Sequence, residues 1–214
     1  ISWAAADSCG NTSSATQTVT VNALNTLNVT VDLQAMVEAG PFTRCITFEL
    51  DPVGAGPLVI SSHTMTFSSG TTGPVSVNIP CGNYECITAR DTLHTLRSTG
   101  TLVDAGVAYT STFVAANGDA LKGGNLNGDA FIDILDFGIF VGQLSSNPSP
   151  GANTTCSTVG PHADVTGDGD VDTGDFTFIA NNFLNFSETR CDGSLRPGGP
   201  AGPLTPDLAA QSAP

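Results

Sequence analysis

The chain has 214 residues, a formal net charge of −14 and only 12% charged residues. Its six Lys and Arg residues cannot form a basic stripe, which excludes nucleic acid and an anionic membrane surface as partners. The sequence contains no apolar run of about 18 residues, so we expect no membrane insertion. The low charge and the abundance of Gly, Ser, Thr and Asn favour a β-rich secreted protein with one or two small domains.

Residues 1–24 are predicted to form a β-hairpin. Turn-forming residues fill positions 7–12, and Val19 and Val21 alternate with polar residues at 17–21, as in a strand. The stretch resembles the last hairpin of a hyaline-repeat, immunoglobulin-like extracellular domain. Because a lone hairpin is marginal in water, we expect it to complete the following sandwich or to pair with a neighbouring copy. A terminal remnant folded back on its own domain is the alternative.

Residues 25–118 alternate apolar and polar side chains with a period of two, which predicts strands. The alternating apolar groups are Val29, Val31 and Leu33; Ile46, Phe48 and Leu50; Met65 and Phe67; Val75, Val77 and Ile79; and Ile87 and Ala89. Turn clusters separate these groups, and further strands are predicted at 93–97 and 107–114. About seven short strands with one apolar face each predict a β-sandwich. The predicted fold class is mostly β with a small α part.

The cysteine pattern favours disulfides over a zinc site, because no Cys-x-x-Cys pair occurs among Cys9, Cys45, Cys81, Cys86, Cys156 and Cys191. We expect Cys156 to pair with Cys191, since these two bracket the second of the acidic segments described next. Cys81 and Cys86 flank a short turn and are predicted to form a cross-strand bridge. Cys45 is an alternative partner for one of them.

Two acidic twelve-residue segments, 125–136 and 164–175, are predicted to be calcium loops. Calcium prefers about six to eight hard oxygen ligands, which side chains at loop positions 1, 3, 5, 9 and 12 and the carbonyl of position 7 supply. The ligands of loop one are predicted to be Asn125, Asn127, Asp129, Phe131, Asp133 and Asp136. Those of loop two are predicted to be Asp164, Thr166, Asp168, Asp170, Asp172 and Asp175. The alternative is two Asp- and Gly-rich surface turns.

Both loops end in Asp rather than in the Glu of an EF-hand, and an apolar helix is predicted after each. The apolar helix residues are Phe137, Ile139 and Phe140 after loop one, and Phe176, Ile179 and Phe183 after loop two. This pattern, over about residues 121–186, resembles the dockerin family, whose members carry two such loop–helix repeats. The resemblance implies a module at residues 119–192 that binds two calcium ions and docks onto a cohesin-like receptor.

The two loops depart from the dockerin pattern to different extents. In loop one, Ala130 replaces the glycine usual at position 6, and Asn125 and Asn127 replace charged ligands. Loop two retains Gly169 and has four side-chain carboxylates in ligand positions, so we expect the second site to be the tighter one. Neither helix has the basic residues often used for cohesin docking, so the resemblance supports calcium binding better than cohesin binding.

Outside the loops, the sequence points to no catalytic chemistry. The histidines His63, His94 and His162 lie far apart and are interpreted as surface or strand residues. No nucleophile elbow, P-loop or dinucleotide fingerprint occurs. The Gly-, Pro- and Ala-rich tail at 193–214 is expected to be disordered unless a neighbouring surface orders it. The chain starts at Ile1 without a signal peptide, and we expect it to be a processed piece of a longer secreted precursor.

The leading hypothesis is a non-catalytic, secreted structural protein of an extracellular or cell-surface fibre, in which calcium folds the repeats and fixes their angle to the sandwich. Its partners are then copies of itself, held through the N-terminal hairpin and the C-terminal tail. The alternative is a dockerin-type anchor that contacts a cohesin-like receptor through Ile134, Leu135, Thr173 and Gly174. A fragment of a carbohydrate-active enzyme is the third possibility.

Overall fold

The computed structural model describes residues 2–18, 24–34, 40–54, 56–106 and 108–187. Its first element is the predicted hairpin, formed by antiparallel strands β1 (Ser2–Ala6) and β2 (Thr12–Thr16). The second strand therefore lies earlier than the predicted 17–21, of which residues 19–21 are outside the described ranges. Over those ranges the hairpin is a separate two-stranded sheet, so it does not complete the sandwich.

Seven further strands form one mixed sheet in the order β5-β4-β7-β8-β9-β3-β6. Neighbours are antiparallel, except that β3 and β9 are parallel. The strands are β3 (Leu24–Val31), β4 (Phe42–Pro52), β5 (Val59–Phe67), β6 (Val75–Pro80), β7 (Tyr84–Asp91), β8 (Ser98–Asp104) and β9 (Ala108–Phe113). The predicted β-rich fold is confirmed, as a sheet that closes on itself like a sandwich or barrel.

Strand β8 is where the sheet folds over. Its first residues, 98–100, pair with β7, whereas residues 101–104 pair with β9. Gly100 lies at this change of partner, and a Cβ there would come within 2.8 Å of the Phe113 ring and of Ser111 Oγ. Only glycine lets the two layers approach so closely. The enclosed core contains the predicted alternating residues, including Val29, Phe48 and Ile79.

The predicted strand at 93–97 is wrong. Asp91 ends β7 and starts a turn, because its carboxylate accepts a hydrogen bond from Leu93 N–H and its carbonyl accepts one from Thr95 N–H. A short polar side chain that bonds to backbone two residues later favours a turn over a strand. The strand that the sequence placed here begins instead at Ser98.

The predicted disulfides are also wrong. Cys45 of β4 is bonded to Cys156, and Cys9 and Cys81 are exposed free thiols. The pairing follows from the segment between the two loops, which lies against β4: Thr154 N–H donates to the carbonyl of Thr43 at 2.9 Å. This contact between distant segments left no signal in the cysteine spacing. Cys191 and the tail at 193–214 lie outside the described residues.

A helix accompanies each predicted loop, as expected, but it begins within the last three residues of the loop: α1 (Ile134–Gln143) and α2 (Thr173–Asn182). Phe140 and Ile179 are buried between the repeats and the sandwich, in a second core that Leu96 enters from the sandwich side. Phe183, which was expected on the apolar face, is exposed because α2 ends at Asn182. No helix within the described ranges has the length and apolar character needed to cross a bilayer.

Candidate calcium-binding loops

Loop two is folded around its first residue, Asp164, whose side chain is fully buried. Its carboxylate accepts hydrogen bonds from Gly167 N–H at 2.7 Å and from Gly169 N–H at 2.9 Å, one on each oxygen. Both glycines have left-handed backbones, with φ of 79° and 100°, which a residue with a Cβ adopts only at a cost. The carboxylate of Asp164, the first predicted ligand, is therefore held in place by backbone N–H groups of the loop itself.

The last residue of loop two joins the start of the loop to the helix. Asp175 is fully buried, and its carboxylate accepts from Thr166 N–H at 2.8 Å and from Asp172 N–H at 2.9 Å. Asp172 in turn caps α2 by accepting from Gly174 N–H at 2.6 Å. Burial raises the pKa of Asp175 against the effect of these hydrogen bonds. A cation bound in the loop would offset this unfavourable burial of charge.

Loop one closes in the same way. Asp136 is fully buried, and one of its oxygens accepts from Leu126 N–H at 2.6 Å and from Asn127 N–H at 3.1 Å. The other oxygen accepts from Asp133 N–H at 2.8 Å, while Asp133 caps α1. Burial raises the pKa of Asp136 as well. The closing aspartates therefore have one structural role in both repeats.

The interior of loop one differs from that of loop two. The Asn125 amide donates to the backbone carbonyl of Asp129 at 2.7 Å, and the Asn127 amide donates to the Asp129 carboxylate, also at 2.7 Å. Ala130 does not share the left-handed backbone that Gly169 adopts at the equivalent position. In loop one, the side-chain amides at positions 1 and 3 donate to Asp129, whereas in loop two the carboxylate at position 1 accepts from two backbone N–H groups.

The remaining predicted ligands are exposed or half-buried: Phe131, Asp133, Thr166, Asp168, Asp170 and Asp172. Within the described ranges, no three His, Cys, Asp or Glu side chains are gathered into a metal-binding group. The donors in both loops are nevertheless all oxygens, from carboxylates, amides, a hydroxyl and a carbonyl. This is the donor chemistry that calcium selects, so the residues fit calcium in kind and in order along the loop.

Two histidines form a buried cluster beside loop two that the sequence did not predict. His94 and His162 were interpreted as separate surface or strand residues, yet both are buried and their Nε2 and Nδ1 atoms lie 3.0 Å apart. His63, in contrast, is a half-buried strand residue as expected. The two buried histidines come from the turn after β7 and from the segment before loop two. No local sequence pattern could have brought such distant residues together.

Residues 124–184 match the family profile of the dockerin type I domain. The chain contains a dockerin-like module. The match begins one residue before loop one and ends two residues after α2, so it covers both loop–helix repeats. Dockerin domains bind calcium.

Two solved structures resemble the chain at low similarity. Both are type II cohesin–X-dockerin complexes from Acetivibrio cellulolyticus, one mutated at the C-terminal interface and the other at the N-terminal interface. The first aligns with a TM-score of 0.45 at 15% identity and the second with 0.43 at 16%; each covers 76% of this chain and 97% of the solved one. None of the curated proteins that were compared matches the chain.

Proposed function

We propose that this chain is a non-catalytic extracellular docking unit whose dockerin-like module binds calcium in both loops and a cohesin-like receptor through α1. The observation that carries the proposal is an uncharged apolar face on α1, within a module that matches the dockerin profile. The Cys45–Cys156 disulfide supports an extracellular location, because such bonds persist in oxidising compartments.

The docking face consists of Ile134, Leu135, Gly138, Val141 and Gly142, which fall within one third of the helix circumference. Ile134 is 64% exposed, Leu135 58% and Val141 50%. A Cβ at either glycine would meet nothing within 4 Å, so the surface there is open. Contiguous exposed apolar residues of this kind mark surfaces at which a partner binds.

The equivalent face of α2 is different. Its residues are Thr173, Gly174, Thr177, Ala180 and Asn181, which are polar or small. An apolar partner surface is complementary to the α1 face. The α2 face has little apolar surface, so its burial against a partner would stabilise a complex less. We therefore assign docking to Ile134 and Leu135 and not to the pair Thr173 and Gly174. A single docking orientation follows from this asymmetry.

Calcium in loop one would fix the start of the docking face. Asp133 and Asp136 belong to loop one, and they also cap the N-terminus of α1 through a reciprocal pair of hydrogen bonds. Ile134 and Leu135 lie between these two residues. Any ion held by loop one therefore acts directly on the backbone that presents the two most exposed residues of the face. Loop two, with more carboxylates, is proposed to be the tighter site.

The test is binding of the full chain to a panel of purified cohesin domains, in calcium and in EDTA. We expect one or more cohesins to bind in calcium and to dissociate in EDTA. Ile134→Asp should weaken this binding by on the order of 30-fold or more, as removal of a central apolar contact does. The matched control is Thr173→Asp at the equivalent position of α2, which should leave the affinity unchanged. If only the control variant loses binding, the docking face lies on α2 and not on α1.

A second function, subunit of an extracellular fibre, is favoured by the hairpin. Every residue of β1 and β2 is exposed, and Trp3 has 61% of its surface in solvent. Unpaired edges of an isolated two-stranded sheet accept further strands. If the chain polymerises, deletion of residues 1–18 should leave it monomeric in calcium. Equal assembly with and without the hairpin would reject this role for it.

A further inference from the structure

Arg44 is a fully buried arginine on the core-facing side of β4, and its guanidinium reaches loop two. One terminal nitrogen donates to the carbonyl of Asp164 at 2.9 Å and lies 3.4 Å from the carbonyl of Val165. These are the first two residues of loop two. A charged donor on a buried carbonyl is a stronger hydrogen bond than a neutral one, so Arg44 positions the start of this loop.

The guanidinium is held in place by residues of the sandwich. Asp91, at the end of β7, lies 3.8 Å from Arg44 Nε, and His94 Nε2 lies 3.3 Å from another guanidinium nitrogen. His94 Nδ1 also contacts the Asp91 carboxylate at 2.7 Å. The ring of Phe42 covers the cation, with 5.1 Å between the guanidinium carbon and the ring centroid. The residues that restrain the Arg44 guanidinium therefore belong to the sandwich and to the turn after β7, whereas its carbonyl acceptors belong to loop two.

Arg44 also balances charge in the absence of a metal. Asp164 and Asp175 are buried carboxylates that repel each other, and burial of such groups is unfavourable without a cation. The guanidinium of Arg44, which stays protonated in proteins, donates to the carbonyl of Asp164 and so lies beside loop two. A fixed positive charge therefore already lies beside loop two without calcium.

Repeat two is joined to the rest of the chain at two further places. The segment before loop two is attached to β4 by the Cys45–Cys156 disulfide and by Asn153, whose side-chain oxygen accepts from Thr43 N–H at 3.0 Å. At the end of α2, the buried Asn182 amide donates to the carbonyl of Gly123 at 2.8 Å and to the side chain of Gln34 at 2.6 Å. Repeat two is thus held at its beginning and at its end.

We propose that Arg44 is a positioning residue that holds loop two in its folded form without calcium, so that the sandwich, and not the metal, folds repeat two. The sandwich and the dockerin-like module then act as one folding unit, in contrast to the separate 25–118 and 119–192 units expected from the sequence. The proposal concerns the metal-free chain, and only its calcium-rescue step rests on the proposed function.

The test is hydrogen exchange of the full chain in EDTA, read by mass spectrometry. Loop-two amides that donate to Asp164 and Asp175, such as those of Thr166 and Gly169, should exchange much more slowly than in an unfolded chain. Arg44→Met should accelerate them by on the order of tenfold or more, while the loop-one amides stay unchanged. Exchange of the wild-type loop-two amides at the unfolded rate would overturn the proposal.

Arg44→Met leaves Asp91 as an uncompensated buried charge and risks unfolding the sandwich. The double variant Arg44→Met/Asp91→Asn removes both charges, and unchanged exchange at residues 87–89 verifies that its sheet is intact. Acceleration confined to loop two in this variant supports the proposal, and wild-type exchange there overturns it. Adding calcium should then restore protection of loop two. Failure of this rescue alone would count against the proposed calcium site and leave the role of Arg44 standing.

Discussion

Ile132 and Val171 occupy the same position in successive loops, and each pairs with the backbone that follows the helix of the other repeat. Ile132 exchanges hydrogen bonds with residues 184 and 185, at 2.8 and 3.0 Å, and Val171 does so with residues 145 and 146, at the same two distances. Ser145 and Leu184 turn the chain for these contacts with left-handed backbones, with φ of 62° and 64°. The repeats therefore hold each other reciprocally through these backbone hydrogen bonds.

Replacement of Asp175 by Ala should abolish calcium binding at loop two. The change removes the closing carboxylate and frees two backbone N–H groups at the start of the loop and of α2. We expect affinity at this site to fall by on the order of 100-fold or more, measured by calorimetric calcium titration. An unchanged titration would show that Asp175 is not a ligand.

Replacement of Asp136 by Ala should have a milder effect on calcium binding than replacement of Asp175. Loop one already contains Asn125 and Asn127 in ligand positions, and their amides are partly satisfied by Asp129. The same calorimetric titration should therefore lose only its weaker phase. If Asp136→Ala removes the tighter phase, the proposed order of the two sites is reversed.

Removal of the Cys45–Cys156 disulfide should destabilise the chain strongly. The bond closes a loop with a sequence separation of 111, for which the chain-entropy model gives an upper value of about 5 kcal/mol. Urea unfolding of Cys45→Ser/Cys156→Ser in EDTA measures the loss. The matched control is Cys81→Ser, an exposed free thiol, which should change the free energy of unfolding by less than about 0.5 kcal/mol. If the double variant is as stable as this control, the Cys45–Cys156 disulfide does not stabilise the chain.

Two glycine substitutions should change stability in opposite directions. Gly100→Ala places a methyl group against Phe113 and Ser111 and should cost about 1–3 kcal/mol. Gly138→Ala, inside α1, meets nothing within 4 Å and should stabilise the chain by about 0.5–1 kcal/mol, because alanine favours a helix. Urea unfolding of both variants decides this. A neutral Gly100→Ala would show that Phe113 and Ser111 can move away from the added methyl group, and the predicted cost would be wrong.

The sequence predicted the features that depend on local spacing. The period-two alternation around Val29 and Phe48 predicted strands, and the loop spacing that ends at Asp136 and Asp175 predicted both helices, although each helix begins within the last three residues of its loop. These features depend on residues within about one turn or one strand of each other, where pattern and geometry are directly linked.

The parts that the sequence did not predict depend on contacts between distant segments. Cys156 pairs with Cys45 rather than with Cys191, because the segment before loop two lies along β4. His94 and His162 meet only because the turn after β7 faces the same segment. Arg44 gave no signal either, since its partners Asp91 and Asp164 are close to it only in the folded chain. A single sequence does not indicate which of its distant residues come together in the folded chain.

The proposed docking function is tested by sedimentation velocity of the full chain, alone and mixed with the cohesin that it binds most tightly, in calcium and in EDTA. We predict that the chain alone is a monomer in both conditions and that an equimolar complex forms in calcium and dissociates in EDTA. Absence of a complex with every cohesin in calcium, or large species formed by the chain alone that disappear when residues 1–18 are deleted, would contradict the docking function. The second result would establish the fibre subunit in its place.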